Sequence, residues 1–518
     1  MTMADEIKQS PDMRGLAQQA SATKVEMFRH ALGGTATMRE AGEAYLPKWE
    51  MEEPATYRKR LDSAVFYGAT GLTVDALVGL VFRTEPTLAS DLPPEVLADA
   101  ENVDLTGRHF AVFAKDLFRD AWDGLACVVV DMQQPGEVAT RAQERAVGLR
   151  PYWVGVKMQD ILRAPSVTIN GNETLGRFAY TESVTVPSGE YGEAKERRIR
   201  EYVLRDITGE RYVEYTVKAM RKDDKGREDW TIIEGPEVLR VGGEGSERGK
   251  PLDEIPVSVC YTGRTGFYAA EPPLMDLVYE NIDHYQQRSE HRKGWQFARV
   301  PIPIFPGMDP EDVVIAADRG ITTPSVDAKP YYMETEGKSL EGSKVELLEC
   351  ERRMANLGAQ MLHRPERSNE TATARRIESA QSTSRLATAA RALQDCLEEA
   401  TRLTAKWRRV DLPDRTNGRW VTVSQDFDAY EMDAQTIQAL NKAVESGNLR
   451  LETFLTGLRD GVPVLAFLDP EAEAELLADR EGEQMEAMRR LLREERATAE
   501  VDEDDRRATA VMDSEEAA

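Results

Sequence analysis

The sequence predicts an α+β protein, and three observations carry that reading. Apolar residues recur at three- and four-residue steps over 58–82, 108–123 and from 274 onward, which is the periodicity of amphipathic helices. Between 125 and 262 the pattern changes to short buried runs and alternation, the signature of strands. Residues 371–409 contain no Gly or Pro, so a helix there would be roughly 58 Å long at about 1.5 Å per residue.

Taken in order, residues 12–82 read as helical, with Asp12 offering an N-cap and Gly33-Gly34 breaking the pattern. Leu61, Val65, Leu72, Val78 and Phe82 mark an apolar face, and Pro86 and Pro93-Pro94 end the unit. Phe110, Phe113, Leu117 and Trp122 mark the helix at 108–123. Leu125 to Asp131 is a buried-strand run, and 152–156, 201–207 and 212–217 alternate. Asn170-Gly171-Asn172 and Asp223-Asp224-Lys225-Gly226 are turns between strands. Pro272-Pro273 can pre-organise the first turn of a helix carrying Leu274, Val278, Ile282 and Tyr285, which Gly294 would end. Residues 298–340 are Pro-rich with short apolar strands, and a second helix covers 342–363. The third helix carries the stripe Leu386, Ala390, Leu393, Leu397, Ala400, Leu403 and Trp407. A strand at 420–423, helices at 433–446 and 451–459, and an acidic tail follow.

With 518 residues and 41% hydrophobic content, the chain exceeds one ordinary domain and can bury a sizeable core. Its 66 basic and 92 acidic residues leave a net charge of -26, a surface that repels nucleic acid non-specifically. A DNA role must then involve passage past the protein or a local basic patch. Cys127, Cys260, Cys350 and Cys396 form no CxxC pair and read as buried thiols in a reducing compartment. The N-terminus lacks an apolar signal core, and the stretch Ala76 to Phe82 is too short for a bilayer, so a soluble protein with no membrane partner is expected.

The motifs point away from catalysis. Gly243 to Lys250 resembles a phosphate loop, but five residues separate Gly243 from Gly249 and Pro251 stands where a metal-binding hydroxyl is needed. His284 and His291 lie seven apart and could share a helix face, without a third ligand at metal-site spacing. No nucleophile elbow, HExxH or paired-carboxylate signature occurs. The expectation is a protein that is not an enzyme, with no catalytic residue, metal or cofactor. The helix at 371–409 has a basic excess (Arg375, Arg376, Arg385, Arg391, Arg402, Lys406, Arg408 and Arg409 against four acids). Salt bridges to acidic neighbours are the favoured reading and contact with DNA phosphates the alternative.

Several stretches in order resemble the DUF4055 group of phage portal-like proteins. They are Tyr45-Leu46-Pro47-Lys48, Tyr57 to Leu61, Val78-Gly79-Leu80-Val81-Phe82-Arg83 with Pro86, and Pro151-Tyr152-Trp153. Further on come Pro272-Pro273-Leu274 with Asp276-Leu277, Asn281-Ile282 with His284-Tyr285, and Pro303 followed by Gly307. Leu357-Gly358-Ala359, Glu370-Thr371-Ala372 and Asp426-Phe427 complete the set, which spans roughly 36–495. Lys48 and Arg163-Ala164-Pro165 depart from the commoner pattern.

The resemblance implies a portal-protein fold. Its parts would be an N-terminal wing (1–271), a stem helix (272–297), a clip (298–340) and a second stem helix (341–363). A tunnel loop (364–370), a long helix crossing back to the wing (371–430), a helical crown (431–500) and an acidic tail (501–518) would follow. It also implies a homo-oligomeric ring, usually of twelve subunits, at a capsid vertex of the virion, assembled in the host bacterial cytoplasm. Double-stranded DNA would pass through it, and terminase large subunit, major capsid and scaffold proteins and a head-tail adaptor would be its partners. The channel residues would be His363, Arg364, Pro365, Glu366, Arg367, Ser368 and Asn369, with Arg375 and Arg376 as DNA-backbone contacts. The apolar stripes of helices 272–297, 342–363 and 371–409 are longer than one subunit's small core needs, so in such a ring these helices are expected to build the subunit interfaces. Another virion ring or adaptor protein, or a nucleotide-dependent enzyme, are the rival readings.

Overall fold

A computed structural model describes residues 10–132, 150–189, 191–207, 209–222, 228–241, 250–299, 302–304, 331–333, 338–362, 372–414, 419–425, 440–444, 446, 450–451 and 453–456. The chain divides into two units, Met1–Phe427 and Asp428–Ala518.

The first unit opens with helices α1 (Leu16–Gly33) and α2 (Thr35–Ala41). Gly34 between them has φ 74, a left-handed value that favours glycine. Asp12 is not the N-cap: Gly15 holds that position, and Asp12 instead accepts from the Ser10 hydroxyl. The expected continuous helical span is also interrupted. Residues 45–53 and 64–68 are non-helical on either side of α3 (Pro54–Ser63), and α4 (Ala69–Val81) follows. Periodicity alone missed these breaks because Tyr45, Leu46, Ala64 and Phe66 are buried without being helical. A two-residue strand β1 (Thr87–Leu88), α5 (Pro94–Ala100) and α6 (Phe110–Ala121) lead to the first sheet.

That sheet has β2 (Leu125–Met132) at its centre, and all eight of its residues are buried. β3 (Pro151–Lys157) flanks it on one side. Next come β4 (Ile161–Arg163) and the hairpin β5 (Ser166–Ile169) and β6 (Asn172–Leu175), turned by Asn170 and Gly171 with φ 51 and 80. Four long strands follow: β7 (Arg177–Ser188), β8 (Gly192–Ile207), β9 (Glu210–Lys222) and β10 (Glu228–Val238). They form an antiparallel sheet in the order β10-β9-β8-β7-β4. β11 (Val257–Tyr261) completes the first sheet as β11-β2-β3, and β12 (Arg264–Gly266) pairs with β13 (Ala269–Ala270).

Beyond β13 the described residues of the unit are mostly helical, with short ribbons. α7 (Met275–Arg299) is followed by β14 (Ile302–Ile304), β15 (Tyr331–Met333), α8 (Lys338–Leu362), α9 (Ala372–Arg408) and β16 (Val421–Thr422), which pairs with β1. Gly294 does not end α7. An added Cβ there would lie 2.9 Å from Leu340 Cδ2, so the glycine marks a close approach of α8 rather than a stop.

The apolar stripe of α9 is buried in the chain's own core: Leu386, Ala390, Leu393, Leu397, Ala400, Leu403 and Trp407 are at most 3% exposed. Trp407 Nε1 donates to the Val130 carbonyl at 2.9 Å, and Trp153 Nε1 donates to Thr404 Oγ1 at 2.8 Å. This corrects the expectation that the stripe supplies a subunit interface: it lies against β11, β2 and β3. In the second unit the described residues are helical over 440–444, at 451 and over 453–456, with Phe454 and Leu455 buried. The remainder of the helices expected at 433–446 and 451–459 lies outside the described residues.

Candidate functional site: a helix–ribbon–helix arm and its root

α7 and α8 have 25 residues each, hence lengths of about 37 Å at the usual helical rise. They pack on one another, and the short ribbon β14–β15 lies between them in the chain, with Ile302 opposite Met333. The seam is narrow. Leu277, Cys350 and Met354 form a small apolar cluster of their own, while Val345 and Leu348 of α8 stay exposed. The 37 residues of α9 give a helix of about 55 Å.

The root of the arm is polar and buried. Asn281 Oδ1 accepts from the Thr70 amide at 3.3 Å and the Thr70 hydroxyl at 3.1 Å, and Asn281 Nδ2 donates to the Tyr67 carbonyl at 2.7 Å. One side chain thereby joins α7 to the start of α4. Residues 45–63 grip the helix farther along. Gln286 Nε2 donates to the Tyr45 carbonyl at 2.9 Å, and Arg292 donates to the Ser63 carbonyl at 2.6 Å. The Trp49 ring lies between two cations, with Lys293 Nζ 3.7 Å and the Arg60 guanidinium 4.2 Å from its centroid. Arg60 in turn forms a buried fork with Glu52 at 3.0 and 2.8 Å.

His284 and His291 share no ligand. His284 Nε2 lies 3.2 Å from Glu351 Oε1, and His291 Nδ1 lies 3.0 Å from the Ser343 hydroxyl, so each ties α7 to α8 separately. His284 is 1% exposed and its Nδ1 has no hydrogen-bond partner. Burial holds its pKa below the ordinary value, against the pull of Glu351. A His depressed in the folded state stabilises above its unfolded pKa and loses that contribution as pH falls below it. Melting temperature should therefore drop between pH 7 and 5, and His284→Gln should flatten that part of the profile. Identical profiles for both proteins would remove His284 from the account.

Among the described residues, Glu280, Asp283 and Cys350 offer ligand atoms within 4.8 Å of one another. Their chemistry does not suit a cation: Arg353 already pairs with the Glu280 carboxylate, and burial pushes the Cys350 thiol up to about 12. The glycine-rich segment lies mostly outside the described residues, but its flanks meet. Val241 N donates to the Lys250 carbonyl at 2.9 Å and Arg240 bridges Pro251, and the next described strand is β11. A phosphate loop needs a strand before and a helix after.

Residues 363–369 lie outside the described residues, and Arg375 and Arg376 fall on α9 at positions whose side chains are likewise outside them. The C-terminal cations of α9 have partners. Arg402 pairs with Glu254 and Glu399 at 2.8 and 2.6 Å, Lys406 with Asp253 at 2.6 Å, and Arg408 with Asp99. Arg391 donates to Gln425 at 2.9 Å. Salt bridges to acidic neighbours, rather than phosphate contacts, thus occupy Arg402, Lys406 and Arg408. The Asn281 hub and the clamp around Trp49 escaped the sequence reading. The one available signal was a buried-face position, Asn281, occupied by a polar residue between Val278 and Tyr285.

No curated protein matches the chain. Among solved structures it is similar to a chain in the neck of an empty GTA particle computed with C6 symmetry (11% identity, 79% of this chain and 94% of that one, TM-score 0.34). It is also similar to one in the neck of a native GTA particle computed with C12 symmetry (9% identity, 80% and 95%, TM-score 0.33). The family model DUF4055, a domain of unknown function, matches residues 273–408, about a quarter of the chain, and so begins just before α7 and ends on the last residue of α9.

Proposed function

We propose that the chain is one subunit of a portal, the ring-shaped channel at a capsid vertex through which DNA enters and leaves a virion. The observation that carries this reading is the arm: two antiparallel helices of equal length with a β ribbon between them, then a long helix returning through the core. In the proposed layout α7 and α8 are the stem, the ribbon belongs to the clip, and 364–370 is the tunnel loop. The unit beginning at Asp428 would be the crown. The net charge of -26 suits a conduit, because each phosphate neutralised by a cation adds affinity and would slow the DNA. Terminase, capsid and scaffold proteins and a head-tail adaptor are the proposed partners. The chain has no catalytic role in this proposal, so the motor ATPase is a separate chain; steady hydrolysis lost in Lys250→Ala would overturn that part.

Mass photometry and negative-stain imaging of the purified protein test the reading. Rings with a central hole are expected, and a stable monomer at every salt and concentration would defeat it. Within such rings, replacing Arg364 and Arg367 with Ala should leave assembly intact and change DNA packaging or retention. Pro365 cannot continue the preceding helix, and the two arginines beside Glu366 can meet phosphates weakly. Unchanged packaging in the double variant would take the loop out of the channel.

A further inference from the structure

We infer that the β10–β7 sheet is a joint between copies, the β10 edge of one chain pairing with the β7 edge of the next. This rests on the ring reading and adds where neighbouring copies meet. Both edges are open. β4 covers β7 at Tyr180 and Ala179, and the Thr181 hydroxyl donates to the Asp160 carbonyl at 3.4 Å, so among the described residues β7 has no sheet partner on that side from Glu182 to Ser188. β10 ends the sheet on the other side, and its stretch Glu228–Ile232 pairs with β9 in unbroken register before the bulges near Glu234. Most of these residues are exposed: 183, 185, 187 and 188 on β7, and 228, 229, 231 and 232 on β10.

The two edges differ in chemistry. β10 carries Glu228, Asp229, Glu234 and Glu237 and no basic residue. From Ser183 to Ser188 the β7 edge reads Ser-Val-Thr-Val-Pro-Ser, with no charge to deter another strand. Open edges usually carry such charges; here only Pro187, which lacks an N–H, interrupts the edge, leaving the β-branched stretch before it free to pair. Behind it on β8, Lys195 lies opposite Thr185 and Arg197 opposite Ser183, two small side chains over which a long cation can reach. Arg197 is half exposed, with its guanidinium 5.8 Å from the centroid of its own chain's Trp230 ring and Asp12 at 3.9 Å. Glu193, opposite Pro187, is the one acid on the same face near the tip.

Strand direction and register agree with this pairing. β7, β8, β9 and β10 alternate, so a lateral displacement of the whole sheet sets β10 of the next copy antiparallel to β7. The rows run Thr181–Ile199–Lys218–Ile232 and Glu182–Arg198–Ala219–Thr231 across the sheet. With no sliding between copies, Trp230 of the next copy meets Ser183 and Glu228 meets Thr185 in front of Lys195. Pairing opposite edges of one sheet is a head-to-tail contact, the kind that closes into rings.

The test uses the full chain. Glu228→Lys should raise the concentration for half-assembly by about tenfold or more, and adding Lys195→Glu should restore it. Thr185→Cys with Glu228→Cys should give, on oxidation, a ladder of covalent multimers that either single variant lacks. The four native cysteines are at most 2% exposed and will not contribute to it. Either a ladder or a reversal with rescue supports the joint. Rings that show neither overturn it and leave the ring reading standing, whereas a wild-type protein that never forms rings removes both.

Discussion

Leu393→Asp should abolish folding of the first unit. Leu393 is fully buried on α9, in a core shared with β2 and β11. A carboxylate there has no cation to meet, and an uncompensated buried charge costs upward of about 4 kcal/mol. That is a large fraction of the stability of an ordinary domain. Insoluble expression, or loss of the cooperative thermal transition, is the expected result. The contrast is Leu348→Asp on α8, 45% exposed, which should melt close to the wild type. A Leu393→Asp protein that melts with the wild type would contradict the placement of α9 in the core. The pair also separates folding from assembly, since a fold failure at Leu393 says nothing about a ring contact.

Glu52→Ala should be nearly as damaging, by a different route. Arg60 and Glu52 are 9% and 7% exposed, and the guanidinium holds both carboxylate oxygens. Removing the acid strands the guanidinium, a loss of about 3–5 kcal/mol for a buried pair broken on one side. Replacing both partners with apolar residues, as in Glu52→Leu with Arg60→Met, should recover much of it. A single variant as stable as the double would show that the pair contributes nothing. The Arg60 hydrogen bonds hold the Glu52 pKa below the ordinary carboxylate value. Its contribution is therefore present above the unfolded carboxylate pKa and lost as pH falls through the folded one. Because Arg60 also backs the Trp49 ring against Lys293, the variant should loosen the grip on α7.

The parts of the fold legible in the sequence were those with an unbroken period. β2, the paired strands at 201–207 and 212–217, α6 and α9 all fall where alternation or helical spacing places them. The errors arose where tertiary contacts outweigh local preference. By sequence Gly294 looks like a stop, yet it admits Leu340 from a helix more than forty residues away in sequence. The α9 stripe by itself fits an interface as well as a core, because its sequence does not say which surface will cover it. The root of the arm was invisible for a related reason: Asn281 is satisfied by Thr70 and Tyr67, over 200 residues earlier. The candidate channel residues 363–369 rest on resemblance and helix-breaking chemistry alone.

The burial of β2 has a consequence for how the chain is made. Its neighbours in the core are β11 at 257–261 and α9 at 372–408, so the central strand waits for residues up to about 280 positions downstream. A ribosome adding roughly 5–20 residues per second needs on the order of 15–60 s between releasing β2 and releasing the end of α9. During that interval an eight-residue apolar strand has only part of its cover. Host chaperones that bind extended apolar segments should therefore engage nascent chains stopped before residue 372 and release those extended past 410, a handover that ribosome-bound chains of graded length would reveal.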